Sequence, residues 1–381
     1  MLEYRMSSLV DTEASARAAI ARLGDARQLP LDVEGDGLFG YRAQLCTVQL
    51  CAGDDVVVVD TIAVDPDVLA PLVEGDAAEK IVHDASFDVR LLRDVGLDFG
   101  RLFDTSVAAR FLGEPATGLA SLVKKYLNVN LKKEKQQADW GKRPIDAEGL
   151  TYLENDVIYL EELADLLRDE IEDKDIGLEV AEESAWVVSS AYDETPDTRV
   201  PWVRIKGAFD LMPPDQAILR EVAAVREAAA ERMNVPPFKV VRNDILFELV
   251  KRKPRDNHQA SKIHGITRGR ARRVMRELVD AVQRGLDEDA PPAHELPRTG
   301  DAPPPEVREA KRKLHRSLSK WRKKEAAARD VDSQVVLPGH CLADVVARMP
   351  RSSEDLALTP GIGEFRVERY GEAILRHVAK S

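Results

Sequence analysis

The chain has 381 residues, 44% hydrophobic and 32% charged, which suits two or three domains with real apolar cores. No apolar run approaches the ~18 residues of a membrane span, and Met1-Leu2-Glu3-Tyr4-Arg5 does not open a secretory signal. The net charge of −12 hides a split: residues 1–200 hold 20 Lys+Arg and 41 Asp+Glu, whereas residues 201–381 hold 35 and 26. An acidic N-terminal part joined to a basic C-terminal part fits nucleic-acid contact by the basic half. Three cysteines, Cys46, Cys51 and Cys341, are too few for a disulfide framework. We expect buried, reduced thiols in a cytoplasmic protein.

Taken in chain order, residues 12–23 read as a helix, and Leu29-Pro30-Leu31 opens a strand that ends at Asp32-Val33-Glu34. Residues 44–51 alternate polar and apolar, and 55–60 hold four consecutive valines; Ala52-Gly53-Asp54 between them makes a hairpin. Residues 66–73 form a short helix and Ile81-Val82-His83 a fourth strand. A helix with apolar residues at 87, 91, 92 and 95 follows. Leu102-Phe103 is a fifth strand, closed by Asp104. Helices are expected over 105–112, 119–127 and, as one unbroken element, 147–167. The acidic stretch 170–200 reads as a helical excursion and then a linker. Strands paired in a hairpin and then alternating with helices imply an α/β domain, a mixed five-stranded sheet with helices on its faces.

Beyond it the chain repeats itself. An offset of 96 residues, without gaps, places Leu246 on Leu342, Leu249 on Val345, Pro254 on Pro350 and Gly265-Ile266 on Gly361-Ile362. The matched positions are mostly apolar at spacings of three and four, so each copy is a small all-α domain with the same buried face. The expected divisions are the α/β domain over 1–185, a linker over 186–210, the first helical domain over 211–288, a Pro-rich linker over 289–305 and the second helical domain over 306–381.

Asp32 and Glu34 are two apart on a strand and so share a face, near the C-terminal end where open α/β sheets bind ligands. Asp88 lies in a first helical turn after the fourth strand. Tyr152 and Asp156 are four apart on a helix and share a face. Each feature alone also reads as ordinary: an acidic strand end, or an Asp favoured by the helix dipole. Together, Asp-x-Glu on a strand, a later Asp and a Tyr-x-x-x-Asp resemble the DEDD exonuclease family in its tyrosine branch. Gln44-Leu45, Gln49-Leu50, Phe103-Asp104-Thr105 and Asp139-Trp140-Gly141-Lys142-Arg143-Pro144 narrow the likeness to the bacterial ribonuclease D family. From Pro201-Trp202-Val203 onward the helical repeat is similar to the HRDC module, present twice, so the resemblance spans nearly the whole chain.

The resemblance implies a ribonuclease H-like fold and a 3′–5′ exoribonuclease that trims tRNA precursors and other small structured RNAs, releasing nucleoside 5′-monophosphates. It assigns Asp32, Glu34, Asp88 and Asp156 to two divalent metal ions, Mg²⁺ or Mn²⁺, and Tyr152 to catalysis. Val33 stands where the family often has Thr, and its side chain should face away from the metals. The chemistry suits the residues. Two hard cations about 3.5–4 Å apart activate water and stabilise a leaving oxygen, and carboxylates are their preferred ligands. A phenol with an ordinary pKa near 10 orients water better than it deprotonates it. His83 reads as a supporting residue, because four acids already suffice.

Trp140 and Arg143 are candidate substrate contacts. Lys311, Lys313, Lys320 and Lys323 lie on one basic helix whose apolar stripe is Leu314, Leu318 and Trp321; they either form a solvated face or contact RNA phosphates. No Gly-x-x-x-x-Gly-Lys-Ser/Thr loop is present, so no nucleotide cofactor is expected. The expected partner is an RNA 3′ end, with no membrane, and the protein is expected to be a monomer. A DNA exonuclease with the same metals, or a nucleic-acid-binding scaffold whose site has decayed, would share much of this sequence pattern.

Overall fold

The computed structural model describes residues 6–132, 135–193, 200–296 and 304–381. It divides into two units: residues 1–35, 45–194 and 303–381 form the first, residues 36–44 and 195–302 the second.

The first unit is built on β1 (Met6–Val10), β2 (Gln28–Gly35), β3 (Leu45–Ala52), β4 (Asp55–Asp60), β5 (Glu79–Val82) and β6 (Leu102–Asp104). The sheet has six strands, in the order β1-β4-β3-β2-β5-β6. The expected five-stranded sheet therefore needs one more. β1 runs parallel to β4, pairing Met6 with Asp55 through to Val10 with Val59. Its Met-Ser-Ser-Leu-Val sequence has little apolar alternation to announce a strand. β2, β3 and β4 form the antiparallel meander; β5 and β6 add in parallel. Val56 to Val59 are all buried, as a strand covered on both faces requires.

Helices α1 (Glu13–Leu23), α2 (Ala70–Val73), α3 (Ser86–Asp94), α4 (Thr105–Leu112), α5 (Leu119–Leu127), α6 (Ala147–Asn155), α7 (Leu160–Asp173) and α8 (Gly177–Asp193) surround the sheet. The single helix expected over 147–167 is two, broken at Asp156. Neither Gly nor Pro marks the break. The linker expected from 186 is displaced too, since α8 continues to Asp193, and Trp202, Val203, Ile205 and Ala208 are buried in the core of the second unit. The stretch Glu194-Thr195-Pro196-Asp197 lies outside the described residues.

The second unit contains α9 (Pro213–Met233), α10 (Pro237–Val240), α11 (Asn243–Arg252), α12 (Asn257–Ala260) and α13 (Gly269–Leu286). Residues expected to begin the Pro-rich linker fold back here: Glu295 accepts from Trp202 Nε1 at 2.9 Å and Arg220 Nη1 at 3.3 Å. Residues 297–303 of that linker lie outside the described residues. The loop carrying Tyr41 belongs to this unit, where the Tyr41 hydroxyl donates to Glu227 at 2.9 Å.

The second helical copy comprises α14 (Pro305–Arg329), α15 (Ser333–Val336), α16 (Gly339–Arg348), α17 (Ser353–Ala357) and α18 (Glu364–Ala379). Offsetting α10, α11 and the start of α12 by 96 residues gives α15, α16 and the start of α17. The copy has its own apolar core around Leu314, Leu318, Ile362 and Ile374, yet it is part of the first unit. What holds it there is α8. Arg366 is fully buried and donates to Glu182 Oε2 at 2.8 Å, to the Glu179 carbonyl at 3.1 Å and to the Val335 carbonyl at 3.2 Å. Arg329 reaches Glu179 at 2.7 Å, and Glu183 pairs with Arg110 at 3.0 Å and His340 at 3.1 Å. The His340 ring stacks on Trp186 at 3.5 Å. Gly363 suits glycine by its backbone, φ 73° and ψ 161°, a region that residues with a Cβ rarely adopt.

Candidate active site

β2 places the first two acids. Leu29, Leu31 and Val33 are buried, so the alternate side chains of Asp32 and Glu34 are left to share a face. β5 pairs with β2 only through Gln28, Leu29 and Pro30, whereas β3 continues alongside, with Gln49 opposite Asp32 and Thr47 opposite Glu34. The two acids thus follow the point where the sheet opens on one side. Behind them Gln49 and Thr47 are fully buried and joined by a 2.7 Å hydrogen bond.

Asp88 stands in the first turn of α3, 4% exposed. Tyr152 lies on α6, and Asp156 is that helix's C-cap; the phenol hydroxyl donates to the Asp156 carboxylate. The helix break therefore ends α6 at the acid. All five residues line one cavity of about 400 Å³, together with His83, Phe87, Leu119, Leu131, Lys132 and Gln136. Carboxylate oxygens of Asp32, Glu34 and Asp156 lie within 4.8 Å of one another.

This crowding governs the electrostatics. Burial, then repulsion from Asp88, Asp156 and Glu34, holds the Asp32 carboxyl well above its ordinary range. Asp88 is held well up by burial and by Asp104 and Asp84. Glu34 is pushed up to about 8 by burial and by Asp156 and Asp88, and burial takes Asp156 to about 7. The Tyr152 phenol is raised by burial and by Asp156, Glu34 and Asp32, which favours its neutral form. The donor set fits divalent cations: anionic oxygens gathered this closely are unfavourable as anions until a hard cation joins them.

His83 borders the cavity. Its Nδ1 lies 2.9 Å from Thr105 Oγ1, and that hydroxyl donates to the Val82 carbonyl at 2.9 Å. With its one proton engaged there, the Thr105 oxygen accepts from the ring, which fixes the Nδ1–H tautomer. Burial lowers the His83 pKa, favouring the neutral ring.

Two expected substrate contacts lie elsewhere. Trp140 is 4% exposed and packs against the Tyr152 ring, centroids 5.6 Å apart. Arg143 grips both oxygens of Asp60, at 2.5 and 2.6 Å, and donates to the carbonyls of Trp140, Lys142 and Cys46. Trp140 braces α6 and Arg143 ties its loop to β3 and β4; neither lines the cavity, and a planar guanidinium with its donors paired inside the fold has none left for phosphate. On α14, Lys320 and Lys323 are exposed, Lys311 is half-buried, and Lys313 donates to the Lys380 carbonyl at 2.6 Å.

Sequence reasoning passed over Asp104. Its carboxylate caps α4 through Ser106 and Val107 N–H, and accepts from Asp84 and Ala85 N–H at 3.0 Å each. It thereby pins the turn that launches α3 and sets Asp88. The available signal was an Asp immediately before a helical run, an N-cap pattern.

Fold and acids together define a 3′–5′ exonuclease domain followed by a duplicated helical module. A 3′–5′ exonuclease family model matches residues 8–172, and the HRDC domain model matches residues 215–282 and 311–378. The ribonuclease D of Granulibacter bethesdensis is 31% identical over 277 residues, 70% of this chain and 69% of that one. That of Jannaschia sp. is 30% identical over 303 residues, 77% of each chain. Among solved structures, Escherichia coli RNase D, an exoribonuclease involved in structured RNA processing, shares the fold with a TM-score of 0.70 and 20% identity, covering 98% of this chain and 99% of that one. The catalytic core of RRP6 from Trypanosoma brucei gives 0.67 and 25% identity over 75% of this chain and 81% of that one. The chain belongs to the ribonuclease D family. Its activity is that of a 3′–5′ exoribonuclease, within a metal-dependent fold.

Proposed function

We propose that this exoribonuclease trims the 3′ ends of tRNA precursors and other small structured RNAs, releasing nucleoside 5′-monophosphates, and acts as a monomer. Asp32, Glu34, Asp88 and Asp156 would hold two divalent cations, Mg²⁺ or Mn²⁺. When bound, such ions activate water and stabilise the leaving oxygen. The observation that carries this reading is the convergence of four acids, each with a raised pKa, on one cavity.

The chain's own groups have separable tasks. Tyr152 is favoured as the neutral phenol; with its proton given to Asp156, its oxygen orients the attacking water by accepting a hydrogen bond from it and does not remove a proton. Trp140 sets the angle of that ring from behind. Phe87, Leu119 and Leu131 give the cavity an apolar side, and its size suits one nucleotide. His83, neutral with Nδ1–H engaged, supports the turn between β5 and α3.

The test uses a 5′-labelled structured RNA with a single-stranded 3′ tail. With Mg²⁺ or Mn²⁺ the label should shorten stepwise from the 3′ end while 5′-monophosphates accumulate, and EDTA should stop it. Equal rates on a matched DNA oligomer would move the reading to a DNA exonuclease, and no shortening with either metal would remove it. Sedimentation of the intact protein tests the monomer.

A further inference from the structure

Ser184 breaks the pattern of α8. Val180, Val187 and Ala191 are buried along that helix, at spacings that put Ser184 in the same stripe. An apolar residue would complete the face, yet the chain places a hydroxyl there, 1% exposed. Helical serines commonly donate to a carbonyl in the preceding turn, as Ser189 and Ser190 do to the Trp186 and Val187 carbonyls at 3.1 Å each. The Ser184 hydroxyl is buried without a hydrogen-bond partner among the described residues. Such a group is unfavourable unless something else meets it.

Ser184 lines a cavity of about 450 Å³ where β5, β6, α7 and α8 meet. No residue of its lining also lines the catalytic cavity. Leu102, Phe103, Ile171 and Val180 give it apolar walls, and Leu178, 60% exposed, carries that surface out to solvent. The charged part of the lining is acidic overall. Its one cation among the described residues, Arg168, stacks over the Phe103 ring at 4.5 Å and is engaged by Glu79 at 2.7 Å and Asp165 at 2.9 Å. That leaves Glu172 and Asp175, whose carboxylates form no ion pair or hydrogen bond among the described residues. Arg329, which reaches the Asp175 carbonyl, is itself paired with Glu179.

The acids and the hydroxyl lie at different ends. Glu172 and Asp175 flank the turn between α7 and α8, whereas Ser184 stands beyond Leu178 by about 9 Å of helix at 1.5 Å per residue. We propose that this cavity binds a small organic cation, with a protonated amine at one end, an apolar body, and a hydrogen-bonding group at the other. The ammonium meets Glu172 and Asp175, the body lies against Phe103, Ile171 and Val180, and the far group meets the Ser184 hydroxyl. Charge complementarity selects the cation, and the same carboxylates repel RNA phosphates, so the occupant is not the substrate of the hydrolytic site. The volume is in the range of small-molecule sites.

Ligand-observed NMR titrations of the full-length protein test it with four compounds of one shape. Tyramine has both end groups, 2-phenylethylamine lacks the hydroxyl, 4-ethylphenol lacks the amine, and 4-hydroxyphenylacetate reverses the charge. Tyramine should bind most tightly, loss of either end group should weaken binding about tenfold, and the acid should not bind. Glu172→Gln/Asp175→Asn should weaken both amines and leave 4-ethylphenol as it was. Ser184→Ala should bring tyramine to the level of 2-phenylethylamine without lowering the melting temperature, since the hydroxyl has no partner in the fold to lose. Equal binding of all four compounds, or binding of none, would overturn the proposal. So would a Ser184→Ala protein that melts earlier and binds tyramine unchanged. Tyramine binding lost in Asp32→Ala but kept in Glu172→Gln/Asp175→Asn would also overturn it, by placing the amine among the catalytic acids.

Discussion

The first unit contains two clusters of buried acids, and they differ in what neutralises them. On α8, Glu179, Glu182 and Glu183 meet Arg329, Arg366 and Arg110, all fixed by the fold. In the cavity, burial holds the pKa values of Asp32, Glu34, Asp88 and Asp156 up, and repulsion from neighbouring acids adds to it at Asp32, Glu34 and Asp88. The same residue type is structural where the chain supplies its cations and chemical where the cation must come from outside. Three glutamates on a helix and four acids around a cavity look alike as composition; only their partners separate them.

The largest expected effect is on turnover. Asp32→Ala or Asp156→Ala should lower hydrolysis by a factor on the order of 10³ or more, the worth of several kcal/mol of lost charge stabilisation. Steady-state trimming assays check this, and near-normal turnover would place the chemistry elsewhere. The same Asp32→Ala change should leave the metal-free fold as stable or more so, because it relieves repulsion.

Substitution in the other cluster should do the opposite. Arg366→Ala leaves Glu182 buried without its cation and should cost about 3–5 kcal/mol of stability, read from urea unfolding. Removing residues 303–381 would uncover the same acids, so truncation cannot isolate RNA binding from folding of the catalytic domain.

Smaller in size is Tyr152→Phe. It removes one hydrogen bond and should slow turnover on the order of tenfold while metal affinity, measured by calorimetry, stays as it was. A loss of metal binding instead would mean that the phenol holds the site together.

A further effect is on stability against pH. Glu34 and Asp156 titrate near 8 and 7 in the fold, above the ~4 of an unfolded carboxyl. The folded protein therefore binds more protons than the unfolded chain between about pH 4 and pH 8, and metal-free stability should fall as pH rises through that window. Melting temperatures in EDTA at pH 5.5 and 8 would check the sign, and a rise toward pH 8 would contradict it.

Much of this was legible because it is periodic. A period of two put Asp32 and Glu34 on one face, a period near four joined Tyr152 to Asp156, and the offset of 96 residues announced the repeat. What escaped was non-local. β1 is defined by its pairing with β4, not by its own pattern. Trp140 and Arg143 look like substrate contacts until Tyr152 and Asp60 are found beside them. α8 reads as an acidic excursion because Arg329 and Arg366 lie 150 and 184 residues beyond the glutamates they meet. The break at Asp156 has no breaker residue.

The contrast between the two clusters is tested most directly by Mn²⁺ binding to the intact protein, followed by electron paramagnetic resonance at pH 8 with the melting temperature recorded in parallel. The acids in the cavity predict saturable binding that raises the melting temperature, that weakens at pH 5.5 as Glu34 and Asp156 take up protons, and that is lost in Asp32→Ala but kept in Glu182→Ala. Binding that survives Asp32→Ala, or a melting temperature indifferent to the metal, would contradict the claim that these acids await a cation.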